Sequence, residues 1–160
     1  MTVRFIDKAF LDALSDEARL APRLRKHFNL HANHAEPVQR LFNAIEPGSY
    51  VAPHRHAALP ASENLFVLRG SLGLILFDDA GHVTSARVVE PAGACCGVEL
   101  GANVWHSVVS LQTGTVILEV KQGPFIAETA SERADWAPAD SSPEAKDWLE
   151  RMKSILSVAE

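Results

Sequence analysis

Residues 48–70 read GSYVAPHRHAALPASENLFVLRG. His54 and His56 stand one residue apart, and Glu63 follows after a gap of six residues. On an extended chain, residues i and i+2 project from the same face, so the two imidazoles point together. Pro53 favours that extended approach. Two converging imidazole nitrogens are donors of the kind that Zn, Fe, Ni and Cu ions take. A His-x-His pair alone is weak evidence, because a chain with seven histidines easily contains one by chance. The bland alternative is two surface histidines near an unrelated carboxylate, and the surrounding chain has to decide.

Around this stretch, short β-type runs recur: VQRLFNAI, SYVAP, NLFVLRG, SLGLILFD, VTSARVVE, CCGVEL, VWHSVVSL and GTVILEVK. Turn signals separate them, at Pro47-Gly48, Gly70, Asp79-Ala80-Gly81, Pro91-Ala92-Gly93, Gly101 and Thr113-Gly114. Many strands at near-regular spacing, with no helical period between them, indicate a β-sandwich or barrel. Helices flank this region. In residues 7–20 Phe10, Leu11, Leu14 and Ala18 fall at helical spacing, and Pro22 ends the run. A second helix is expected over 143–157, with Ser142 as cap, Pro143 in the first turn, and an apolar stripe of Trp148, Leu149, Met152, Ile155 and Leu156. The chain reads as one domain over 1–160: an N-terminal helical and extended segment (1–35), a β-barrel (36–128) and the C-terminal helix (143–157).

Bulk properties agree. The 160 residues are enough to bury roughly 70% of the unfolded surface in one core. Hydrophobic residues make up 47% and charged residues 22%, the balance of a globular protein. A net charge of −5 argues against general nucleic-acid binding. No run approaches the ~18 apolar residues of a membrane helix, and Asp7, Asp12, Asp16 and Glu17 interrupt any signal-peptide pattern, so cytoplasmic residence without membrane insertion is the expectation. Arg19, Arg23, Arg25 and Lys26 form a basic cluster that reads first as a solvated face. The adjacent Cys95 and Cys96 cannot staple distant elements and are expected as small buried hydrophobes.

A metal ion on His54 and His56 needs further ligands. Glu63 opens the strand after the His-x-His loop, and His106 lies on another expected strand, in VWHSVV. His27, His31 and His34 precede the barrel and His82 follows a hairpin glycine, so all four suit the site less well.

GSYVAPHRH followed by ENLFVLRG resembles the first cupin motif, Gly…His-x-His…Glu…Gly, and GANVWH resembles the second. The resemblance implies a cupin-type double-stranded β-helix (jelly-roll) barrel and places the metal ligands at His54, His56, Glu63 and His106. Two departures stand out. The spacer before Glu63 is longer than in the common motif, so its loop must bulge. In the second motif Gly101 and Asn103 occupy the usual proline and glycine positions, and Asn tolerates the left-handed backbone that the turn requires. A narrower resemblance, carried by RLRKHFNLHANHAEPVQRLFNAIEPGSYVAPHRH, HSVVSLQTGTVILEVKQGPF and DWAPAD, is to the WbuC family of bacterial cupin-fold metalloproteins. It implies a link to surface-polysaccharide (O-antigen) metabolism, and no particular reaction.

Such a site would hold one divalent transition metal, Fe, Mn, Ni or Zn, with a coordination position left open. Arg40 and Asn43 on an early strand, and Glu119 and Lys121 on the last, are the expected pocket residues. Arg40 is suited to a carboxylate or phosphate, and Glu119 with Lys121 reads equally as a plain ion pair. Arg23, Arg25 and His31 are placed over the barrel mouth. Three functional readings follow. One is a metal-dependent isomerase, epimerase, lyase or dioxygenase acting on a small polar molecule such as a sugar or nucleotide sugar. Another is a non-catalytic module whose metal anchors a ligand. The third is a barrel that packs as a homodimer and whose metal is structural.

Overall fold

The computed structural model describes residues 3–56, 62–127 and 130–158. The chain runs α1 (Lys8–Leu20), β1 (Arg25–Asn29), β2 (Val38–Ile45), β3 (His54–Arg55), β4 (Glu63–Arg69), β5 (Leu72–Phe77), β6 (Val83–Val89), β7 (Gly97–Leu100), β8 (Trp105–Ser110), β9 (Thr115–Gln122), β10 (Glu132–Arg133) and α2 (Ala145–Val158). The strands form two five-stranded sheets, ordered β1-β2-β9-β4-β7 and β10-β3-β8-β5-β6. Every pairing is antiparallel. Among the described residues, no helix is long and apolar enough to cross a membrane.

Three apolar layers follow from strand alternation. Between the sheets lie Ile45, Leu65, Leu72, Leu74, Val108 and Ile117. On the outer face of the first sheet, Phe42, Ala44 and Val116 receive Leu14 and Ala18 of α1. On the outer face of the second, Ile75, Phe77, Trp105 and Val109 receive Leu149, Met152 and Leu156 of α2. Both helical stripes are therefore core. Gly73 lets α2 approach closely, since a Cβ there would lie 2.1 Å from a methyl carbon of Leu156. Asp7 caps α1 by accepting the Phe10 N–H at 2.9 Å.

Several details differ from the sequence reading. SYVAP is not a strand. Its groups bond elsewhere: the Ser49 N–H to the Glu46 carbonyl, and the Ala52 N–H to Asp140. Only His54 and Arg55 join the sheet. β1 and β10 lacked a readable pattern and add an edge strand to each sheet. Ser142 and Pro143 lie ahead of α2 in a turn closed by Ala145 N–H to the Ser142 carbonyl. Cys95 is half-buried against the inter-sheet core, whereas Cys96 is exposed just before β7.

Candidate metal centre

Register brings the histidines together. His54 on β3 pairs directly with His106 on β8, and their ring centroids lie 4.4 Å apart. The alternation of the short β3 strand sends Arg55 outward, over the Trp105 ring at 4.4 Å, while His54 and His56 face the interior. One ring nitrogen from each of His54, His56 and His106 lies within 4.8 Å of the other two.

The main chain orients the three imidazoles. Nδ1 of His54 faces the Ala52 carbonyl at 3.0 Å, Nδ1 of His106 faces that of Val104 at 3.0 Å, and Nδ1 of His56 faces that of Ala130 at 2.6 Å. A carbonyl can only accept, so each Nδ1 carries the proton and donates. The Nε2 lone pairs are left for another partner, the arrangement that metal-ligating histidines use.

Glu63 is 3% exposed at the start of β4. Its Oε2 lies 3.1 Å from Nε2 of His56 and 3.4 Å from Nε2 of His106. Ligand atoms about 2.1 Å from a shared ion sit about 3.0 Å apart at right angles and about 3.4 Å apart at tetrahedral angles. The two separations from Glu63 are of the size that ligands of one ion show, while the cluster within 4.8 Å comprises the three histidines. A carboxylate oxygen opposite an imidazole lone pair also requires something positive between them, a metal ion or a proton on Nε2. Loss of hydration and the neighbouring His106 hold His54 down to about 3, which keeps it neutral. Burial alone would depress His56 and raise Glu63. In both cases the histidine–carboxylate hydrogen bonds outweigh it, so His56 is raised and Glu63 lies well below the usual carboxylate range. Five of the six spacer residues, 57–61, lie outside the described residues, and Glu63 reaches the histidines beyond them.

Beside the histidines is a cavity of about 210 Å³, opening toward solvent and lined in part by Asn43, Glu119 and Lys121. Lys121 Nζ lies 3.4 Å from both Glu63 Oε1 and Glu119 Oε1. Burial, then the charge of Glu63, raises Glu119 to about 7, although Lys121 opposes the shift. Arg40 is not in this cavity. It stands three positions from Asn43, an odd spacing that puts the two on opposite faces of β2. Its guanidinium instead lies 3.5 Å from Glu36. Arg23 and Arg25 do line the cavity, whereas His31 lines a neighbouring one with His34 and Phe125. His27, Arg133 and Asp140 complete the wall. Asp140 comes from the DWAPAD stretch ahead of α2. Its carboxylate pairs with Arg25 of β1 and accepts the Ala52 N–H at 3.1 Å. No local pattern announces a contact between residues 115 positions apart.

The two sheets and the histidine cluster at the mouth between them define a cupin-type jelly roll with the geometry of a metal site. The chain belongs to the family described as "Domain of unknown function (DUF6016)", whose model matches residues 6–89. No curated protein matches it. Among solved structures it is similar to KdgF from Halomonas sp., at 14% identity and a TM-score of 0.52, covering 68% of this chain and 87% of that one. It is also similar to oxalate decarboxylase from Bacillus subtilis, at 16% identity and 0.52, spanning 68% of this chain and 27% of the longer enzyme. A Shewanella oneidensis protein matches at 13% identity and 0.52, over 83% of this chain and 82% of its own. These likenesses concern the fold.

Proposed function

We propose that the protein holds one divalent transition metal, Fe, Mn, Ni or Zn, on His54, His56, His106 and Glu63, and acts there on a small polar molecule of the sugar class. The observation that carries this reading is the outward donation of all three Nδ1 protons to main-chain carbonyls. It leaves three Nε2 lone pairs and a buried carboxylate converging at a cavity. Manganese has a precedent on this fold, since B. subtilis oxalate decarboxylase carries Mn(II) centres. The resemblance to the WbuC family supports a role in bacterial surface-polysaccharide metabolism. The space beside the histidines, about 210 Å³, lies below the roughly 300–1,000 Å³ of drug-sized pockets, which favours a single sugar ring over a nucleotide sugar.

A bound metal would polarise a carbonyl or hydroxyl oxygen of the ligand. The chain's own contribution is to fix the imidazole tautomers, to keep Glu63 ionised, and to hold Glu119 and Lys121 as a polar pair facing the ligand. Isomerase, epimerase, lyase and dioxygenase chemistries all fit such a site. A second reading is a non-catalytic binding module, favoured because the pairing of Glu119 with Lys121 leaves neither free to act as a general acid or base.

Elemental analysis of freshly purified protein tests the proposal. One equivalent of metal is expected in the wild type, with loss in His54→Ala and His106→Ala. A metal-free wild type whose thermal stability ignores added Mn, Fe, Ni or Zn would overturn it. Prolonged incubation with a bound sugar separates the readings, because turnover excludes the binding module.

A further inference from the structure

We propose that the cavity beside the histidines selects a hydroxylated anion, a sugar acid or sugar phosphate, through Arg23 and Arg133 at its rim and Asn43 in its wall. The proposal rests on this cavity being the ligand site, and it leaves the metal's identity open.

Charge at one side of the cavity is unbalanced. Three guanidinium groups, of Arg23, Arg25 and Arg133, line the cavity with the ammonium of Lys121 and three carboxylates, of Asp140, Glu63 and Glu119, and only Asp140 lies within ion-pair distance of the arginines. Arg25 is committed to the structure: its side chain is 8% exposed, it is paired with Asp140, and it donates to the Tyr50 carbonyl and to Ser49 Oγ. Asp140 is spent on Arg25 and on the Ala52 N–H, and Arg133 reaches it only at 3.6 Å with a side chain 58% exposed. Arg23 has no carboxylate partner among the described residues. Two cations are therefore left facing one space, on a chain whose net charge is −5. Deeper in, Glu63 and Glu119 share Lys121, and neither lies within ion-pair distance of an arginine among the described residues. Like charges gathered at a cavity rim repel unless a counter-charge arrives, and guanidinium forks match carboxylate and phosphate oxygens.

Asn43 supplies a second, independent observation. It lies on the same inward face of β2, is 7% exposed, and its Oδ1 is buried without a hydrogen-bond partner among the described residues. A buried acceptor without a donor is unusual enough to require a reason. A ligand hydroxyl entering the cavity would supply the donor. An anionic group at the mouth, a hydroxyl on Asn43 and an oxygen toward the histidines describe a compact, polyhydroxylated acid or phosphate.

Isothermal titration at matched ionic strength tests this with glucuronate, glucose 6-phosphate and glucose as probes. Wild-type protein is expected to bind at least one of the anions about tenfold or more tighter than glucose, the tighter anion showing whether carboxylate or phosphate is preferred. The Arg23→Met/Arg133→Met variant should lose that preference while keeping wild-type metal content and melting temperature. Asn43→Leu should weaken the anion and glucose in the same proportion. Glucose binding as tightly as both anions, no anion binding up to about 10 mM, or a double variant that keeps the preference would each overturn the proposal. The two readings fail separately. Metal-free protein that still selects anions through the arginines refutes only the metal centre. Metal-loaded protein indifferent to charge refutes only the anion subsite.

Discussion

His54 and His106 face each other across the β3–β8 pair in exact antiparallel register, although they come from opposite halves of the barrel sequence. Each donates its Nδ1 proton to the carbonyl two residues before it, of Ala52 and of Val104. The same local device thus aims both rings, and a shift of one residue in either strand would turn one of them away from the cavity. The site depends on strand register as much as on the identity of its ligands.

His106→Ala should therefore reduce metal affinity by more than the roughly 10–100-fold that loss of an outer-shell partner costs. Glu63→Gln keeps the shape but removes the charge, and a smaller loss is expected. Competition with a chromophoric chelator checks both. Equal, near-zero effects would exclude the cluster as a ligand set.

How much of this was legible beforehand depends on the range of each interaction. His54 and His56 were readable because a two-residue period is local, and the outward turn of Arg55 follows from the same rule. Most core strands were readable for the same reason, and β2 runs over Val38–Ile45 as VQRLFNAI suggests. The same period, applied to Arg40 and Asn43, would have separated them, because three positions reverse the face. The Arg25–Asp140 pair was not readable: it joins an edge strand without a clear pattern to a stretch outside any strand or helix. SYVAP misled because apolar residues before a proline look extended, and here their polar groups are used by Asp140 and a turn.

Lys121 is the only cation within ion-pair distance of both Glu63 and Glu119 among the described residues. Lys121→Met should leave two buried carboxylates facing each other and cost about 3 kcal/mol in metal-free protein. Adding Glu119→Gln removes the repulsion and should restore most of that loss. A double-mutant cycle in urea measures the coupling, and additive losses would contradict it.

Asp140 predicts an acid dependence. Burial alone would raise its carboxyl, but the Arg25 charge and hydrogen bond, the Ala52 N–H and Arg133 outweigh it and hold it below its ordinary value. A lowered folded value means that the stabilisation is fully present above the unfolded pKa of about 3.9. It is then lost as pH falls through the folded value. Asp140→Asn should cost about 2 kcal/mol at neutral pH, and the difference from wild type should shrink as the solution is acidified toward that range. A constant difference across pH, read from urea midpoints, would show that the carboxylate charge contributes nothing.

Gly70 sits at φ +83° between β4 and β5, and a Cβ there would lie 2.7 Å from Thr115 Cα. Gly70→Ala should destabilise the fold by at least about 2 kcal/mol, because a backbone clash adds to the left-handed strain. Thermal unfolding measures it directly. A neutral result would mean that the β4–β5 corner can relax.

The carbonyls that orient the three imidazoles belong to the main chain of Ala52, Val104 and Ala130. No single side-chain replacement can delete them. Substitutions around the cavity can therefore accumulate without changing the tautomer or aim of the ligands. A lineage could trade one pocket lining for another while inheriting the metal geometry intact, and its members would diverge in what they accept long before they lost the ion.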